Sequence, residues 1–185
     1  SNKTWQGGTT DWGIGTNWNP AGIPTVCDNV LIPTAPTGGN MPTVPNAAEC
    51  NNLIIQTGAI LTVNSALNKQ LAIYGNLLND GAFTHNANTY STLFYGASST
   101  IGGIGIWNGT NGPILEFAGT ANYTLLNNIT CYDGAIGANA TLNLGANTLV
   151  VTGDPFSQTG FLNLNSGTLE IRSNLSGTPS KLNHN

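Results

Sequence analysis

Apolar and polar residues alternate along this chain in short bursts: DNVLI at 28–32, NLIIQ at 52–56, AILTV at 59–63, LAIYG at 71–75, TLFYG at 92–96, PILEF at 113–117, YTLLNNIT at 123–130, ATLNL at 140–144, TLVV at 148–151, FLNLN at 161–165 and TLEIR at 168–172. Each burst is bounded by Gly, Asn, Asp or Ser, which is the pattern of short β-strands between turns. Apolar residues at i, i+3, i+4 and i+7 are not sustained anywhere, and Gly, Asn or Pro interrupts almost every stretch of ten. The pattern predicts an all-β chain.

The bursts repeat. Aligning ATLNLGANTLVV (140–151) with GFLNLNSGTLEI (160–171) matches Leu142 with Leu162, Asn143 with Asn163, Leu144 with Leu164, Thr148 with Thr168, Leu149 with Leu169 and Val151 with Ile171. Earlier, NLIIQTGA (52–59) returns as NLLNDGA (76–82), with Gly58 and Gly81 as the matched turn residues. A period of 20 to 24 residues with two or three tiny strands per repeat predicts a right-handed parallel β-helix, a β-solenoid whose coils stack about 4.8 Å apart. About seven coils are expected after the N-terminal stretch, with aliphatic stacks inside and Asn and Thr ladders outside. The stretch 97–113, which contains Trp107, fits the period least well and reads as an irregular loop or extended corner. A single domain over 1–185 follows, divided into a cap region 1–50, stacked coils 51–175 and a tail 176–185.

Composition fits this picture. Only 6% of residues are charged, against about 25% in an ordinary soluble domain, and the polar surface is instead built from Asn and Thr. With 39% hydrophobic residues and a net charge of -4, the chain lacks the signature of disorder. Its four cations, Lys3, Lys69, Arg172 and Lys181, are scattered, so neither nucleic acid nor an anionic membrane surface is an expected partner. No apolar run is long enough for a membrane-spanning helix. The neutral polar surface points to an extracellular setting. There, a Cys27–Cys50 disulfide closing about 23 residues would contribute on the order of 3 kcal/mol. Cys131 reads as a small buried apolar residue.

A solenoid exposes a sheet edge at each end, and the segment TWQGGTTDWGIGTNWNPAGIP is placed to cover the first. The residues expected to build that cap are Trp5, Asp11, Trp12, Trp18 and Pro24; the alternative for three clustered Trp is a sugar-binding platform. This opening, followed by CDNVLIP, AECNNLIIQTGAILTV and LAIYGNLLNDGAF, resembles the N-terminal cap and first coils of secreted bacterial surface β-helix proteins, adhesin-like proteins of the Bacteroidetes type and, more loosely, autotransporter passenger domains. The matching residues are Trp5, Gly7, Asp11, Trp12, Asn17, Trp18, Gly22, Pro24, Asp28, Val30 and Ile32, then Cys50, Leu53, Ile55, Gly58, Ala59 and Leu61. The resemblance implies export, a cell-surface or extracellular location, and a structural or adhesive role. End-to-end stacking into a filament, or membership of a larger surface protein, is the expected form of association. It implies no catalytic residue and no cofactor.

The eight acids are spread out, and Asp133 and Asp154, 21 residues apart, are the pair considered for a polysaccharide lyase or hydrolase or a Ca²⁺ site, placed to meet across one coil if they share a corner; both sit beside Gly or Pro, as turn residues do. No CxxC is present, and His85 and His184 do not lie at ligand spacing from any Cys, so no metal site is expected. Nucleophile and phosphate-binding motifs are absent. Glycan binding is the main alternative function, with Trp107 and Tyr95 as the leading contacts and Tyr90, Tyr123 and Tyr132 as further aromatic candidates. The Thr pattern is too irregular for an ice-binding array.

Overall fold

The computed structural model describes residues 1–64, 71–86, 92–109, 112–153 and 156–172. Two cap strands come first, β1 (Asn2–Trp5) and β2 (Trp18–Asn19), with a short 3-10 turn at Gly15–Asn17 between them. Six complete coils of three strands follow. The first three are β3 (Asn29–Ile32), β4 (Thr43–Val44) and β5 (Ala48–Cys50); β6 (Leu53–Ile55), β7 (Ile60–Val63) and β8 (Leu71–Ile73); and β9 (Leu77–Asn79), β10 (Ala82–His85) and β11 (Thr92–Phe94). The next three are β12 (Ser98–Gly102), β13 (Ile106–Gly109) and β14 (Ile114–Phe117); β15 (Asn122–Leu125), β16 (Ile129–Cys131) and β17 (Asp133–Ile136); and β18 (Thr141–Asn143), β19 (Thr148–Val151) and β20 (Ser157–Gln158). A partial coil, β21 (Phe161–Asn163) and β22 (Thr168–Ile171), brings the stack to six full turns and a fraction among the described residues, against the seven expected.

The strands stack into three faces. The first runs β2-β1-β3-β6-β9-β12-β15-β18-β21, and only the β1–β2 pair is antiparallel. The third runs β5-β8-β11-β14-β17-β20, all parallel. The second is split into β4-β7-β10-β13 and β16-β19-β22. The chain is therefore a parallel β-solenoid, as its periodicity predicted.

Alternation explains the core. Every second strand residue points inward and meets its counterpart one coil away, so inward side chains form columns: Val30, Leu53, Leu77, Ile101 and Leu125 on the first face, and Cys50, Ile73, Phe94, Phe117 and Ile136 on the third. Phe94 and Phe117 stack with ring centroids 5.3 Å apart and planes 13° from parallel. All ten residues are buried, and each aliphatic or aromatic side chain so buried contributes about 1.5–3 kcal/mol. In the last coils Leu142 pairs with Leu162, Asn143 with Asn163, Leu149 with Leu169 and Val151 with Ile171.

Coil length changes partway along. Leu53 pairs with Leu77 and Ser98 with Asn122, both 24 residues apart, whereas Asn122 pairs with Thr141 at 19 and Thr141 with Phe161 at 20. The shortening falls at the second-to-third corner: the fifth coil passes from β16 to β17 through Tyr132 alone, while the fourth spends residues 110–113 between β13 and β14. A coil that turns early cannot keep its strand over the one before, so β13 and β16 do not pair. Much of the described part of the stretch 97–113 is strand. It supplies β12 and β13 in register with the coil before, and the irregularity lies in the step that follows.

Gly58 and Gly81 also prove to have different jobs. Gly58 adopts φ +82, a left-handed corner that glycine tolerates best. Gly81 lies against the preceding coil, where a Cβ would run into the carbonyl oxygens of Ala59 and Gln56. The register slips here from 24 residues, Ile55 to Asn79, to 22, Ile60 to Ala82, so the two glycines are not stacked equivalents.

Candidate functional site

The N-terminal Trp cluster is interior. Trp5, Trp12 and Trp18 are all buried, with Trp18 edge-on to both Trp5 (4.9 Å) and Trp12 (4.7 Å). The Trp5 indole N–H donates to the Asn40 carbonyl at 2.7 Å and that of Trp18 to the Trp12 carbonyl at 2.9 Å. Buried Asn17 holds the loop over them, donating to Thr9 Oγ1 and the Asp11 carbonyl and accepting from the Thr9 N–H. Asp11 accepts from the Gly13 N–H at 2.7 Å and bridges to Thr43, so its carboxylate serves the turn. Pro24 is buried. Rings packed this way have no free face for a sugar, and antiparallel β2 ends the first face beside them.

The expected Cys27–Cys50 disulfide is not formed. Both cysteines are free, Cys27 exposed and Cys50 buried. The two lie one coil apart, since the Asn51 N–H donates to the Asp28 carbonyl, but their side chains take opposite directions. Cys50 is the last inward residue of β5, whereas Cys27 belongs to a turn closed by the Asp28 N–H on the Thr25 carbonyl. Burial pushes the Cys50 thiol well above its ordinary range, with the nearby Glu49 charge adding to it. Cys131 is also buried, its thiol raised to about 12 by burial first and the Asp133 charge second.

The aromatic candidates scatter. Tyr123 is fully buried, its hydroxyl donating to the Phe94 and Ala118 carbonyls, so it is a core residue rather than a sugar contact. Tyr90 and Asp154 lie outside the described residues. Trp107 is half-buried on β13, edge-on to Phe83, and lines a small cleft of about 230 Å³ with Tyr132 beside the unpaired β13 and β16. Tyr95 is 43% exposed and stacks on Tyr74, 37% exposed, at 5.7 Å and 22°. Trp107 lies on a strand of the second face and Tyr95 follows a strand of the third, so they do not form one site. Tyr74 was missed, although LAIYG and TLFYG share the same Tyr-Gly ending.

The first face carries the most ordered polar array. Its outward positions align Asn2, Asn29, Asn52, Asn76, Thr100, Thr124, Asn143 and Asn163 in one column. Asn29 Nδ2 donates to Asn2 Oδ1 (3.0 Å), Asn52 Nδ2 to Asn29 Oδ1 (2.7 Å), the Asn76 N–H to Asn52 Oδ1 (2.7 Å), and the Thr100 N–H and hydroxyl to Asn76 Oδ1 (2.8 and 3.1 Å). Beside it run Leu31, Ile54 and Leu78, and the two rows line a groove of about 510 Å³. The strand pattern held the signal for these residues, since they are the outward members of each alternating burst.

Among the described residues no group of three or more His, Cys, Asp or Glu is gathered to hold a metal, and no helix is long and apolar enough to cross a membrane. His85 is buried against Phe83 with Nε2 3.0 Å from Thr92 Oγ1, and burial lowers its pKa to about 4.

Residues 4–94, just under half of the chain, match the model of a domain of unknown function, DUF8693. No curated protein and no solved structure matches the chain significantly.

Proposed function

We propose that this chain is a rigid structural segment of an extracellular bacterial surface protein, an adhesin, stalk or fibre. The observation that carries the proposal is the unbroken stack of parallel coils on the first and third faces, with charge-poor outer surfaces knitted by an Asn/Thr ladder. Such a stack resists bending because every coil is hydrogen-bonded to the next, and neutral ladders avoid placing like charges one coil apart. Stacking of further coils is supported by the last described turn. There Leu162, Leu164, Leu169 and Ile171 are partly exposed, whereas Leu142, Leu144, Leu149 and Val151, one coil earlier, are fully buried.

Antibody against the chain should label intact bacterial cells, and the purified chain should survive prolonged proteinase K treatment. Recovery solely from cytosol, or rapid internal cleavage of the folded chain, overturns the reading. Sedimentation tests the stacking: association that grows with concentration supports it, and a strict monomer removes the fibre.

A glycan-binding role is the second reading, favoured by the exposed Tyr74–Tyr95 pair. The column they occupy continues as Ala118 and Gly137, leaving nothing larger than a methyl group over the next two coils. Retention on glycan arrays, lost in Tyr95→Ala, is the expected result; retention unchanged in that variant argues against it.

A further inference from the structure

The groove on the first face has a defined chemical polarity. The N–H groups of Asn76 and Thr100 can only donate, so they force the side-chain oxygens of Asn52 and Asn76 toward them. Asn52 must then present its amide nitrogen to Asn29 Oδ1, and Asn29 its own to Asn2. Asn29 Oδ1 also accepts from Asn51, and Asn76 Oδ1 from the Thr100 hydroxyl. A side-chain amide has two donor hydrogens and two acceptor lone pairs. Acceptor capacity is therefore spent at Asn29 and Asn76, Asn52 Oδ1 keeps one lone pair, and the wall is left richer in donors, with one N–H on Asn29, one on Asn52 and two on Asn76.

The floor beside this wall is aliphatic. Ile54 is 40% exposed and Leu78 39%, in line with Leu31 at one residue per coil. Among the described residues the groove's one charged lining residue is Lys3 at its end, and that ammonium is already bound to the Pro20 and Ala21 carbonyls at 3.0 Å each. No carboxylate among the described residues lines it. At about 510 Å³ it lies within the 300–1,000 Å³ usual for ligand sites, which pair apolar surface with a few placed polar groups.

We propose that this groove binds an uncharged polysaccharide strand lying along the solenoid axis. The C–H faces of its sugar rings rest on Leu31, Ile54 and Leu78, and its ring and hydroxyl oxygens take the spare N–H groups of Asn29, Asn52 and Asn76. An anionic polymer finds no free cation here, and a purely aliphatic chain leaves the N–H row unanswered. The groove goes beyond the structural role, which stands whether or not it is occupied.

Native gels cast with xylan, mannan, laminarin or hydroxyethylcellulose test this, with polygalacturonate as the anionic comparison. The expected result is retardation in at least one neutral gel, weakened at least tenfold by Ile54→Asp and by Asn76→Ala, and unchanged in Trp107→Ala. Leu78→Ser serves as a second floor variant should Ile54→Asp lose its circular dichroism spectrum. Three results overturn the proposal: no retardation in any neutral gel, retardation only by polygalacturonate, or retardation lost in Tyr95→Ala yet kept in folded floor variants. None of these alters the protease and surface-labelling results that test the structural role.

Discussion

His85 gives the solenoid an acid-sensitive core. Its ring points inward from β10, between Val63 of the previous coil and Gly109 of the next, with the Phe83 ring 5.5 Å away and Thr92 Oγ1 at 3.0 Å. Burial lowers its pKa from 6.5 to about 4. The unfolded chain therefore takes up a proton first as pH falls. Stability is unaffected by this group above 6.5, declines between 6.5 and about 4, and is constant again below. At about 1.4 kcal/mol per pH unit the full loss is on the order of 3 kcal/mol, a large share of the ~5–15 kcal/mol that holds a typical domain together. Urea unfolding at pH 7 and pH 4, run on the native chain and on His85→Leu, isolates the effect, because the carboxylates are common to both. His85→Leu leaves the Thr92 hydroxyl unpaired and starts from a lower stability, so the comparison is between slopes. The native chain should lose about 3 kcal/mol more than the variant over this interval. Equal losses would refute the burial argument.

Three further outcomes follow from the packing. One thiol, Cys27, should react with Ellman's reagent in the native protein and all three after unfolding; native reactivity at Cys50 or Cys131 would contradict their burial. Trp18→Ala removes the ring that contacts both other Trp of the cap and should cost about 3–5 kcal/mol, read as a lowered urea midpoint; a loss under 1 kcal/mol would mean that the cluster does not hold the cap together. Gly81→Ala pushes a methyl group against the Ala59 and Gln56 carbonyls and should destabilise by about 1–3 kcal/mol, as overpacking does; native thermal stability in that variant would show that the two coils are not in contact there.

The parallel stack was legible because its cause is local: strand alternation and a recurring turn reveal themselves in one sequence. Leu142/Leu162 and Val151/Ile171 pair as their spacing required. What escaped was whatever depends on side-chain direction at a corner. Cys27 and Cys50 sit one coil apart, as spacing implied, yet one faces solvent and the other the core. Tyr95 ends a short apolar run and Tyr123 opens one, but Tyr123 falls on the inward phase of β15 and Tyr95 on the corner after β11. The split second face was hidden for a different reason. A coil shortened by five residues leaves each strand's own pattern intact and shows only in the pairing, where a 24-residue step becomes 19. The donor-rich wall of the groove was equally invisible, since Asn29, Asn52 and Asn76 are unremarkable until Thr100 fixes which way their amides turn.

The parallel register is open to direct chemical test through paired cysteines in a Cys27→Ser background. Thr62 and Thr84 point outward from β7 and β10 and are registered partners one coil apart, about 4.8 Å by strand spacing and within disulfide reach. Thr62 and Asn108 are two coils apart. Mild oxidation of Thr62→Cys/Thr84→Cys should give a near-quantitative intramolecular disulfide, and Thr62→Cys/Asn108→Cys should give none. Cross-linking of the second pair, or its absence in the first, would contradict the stacked-coil fold.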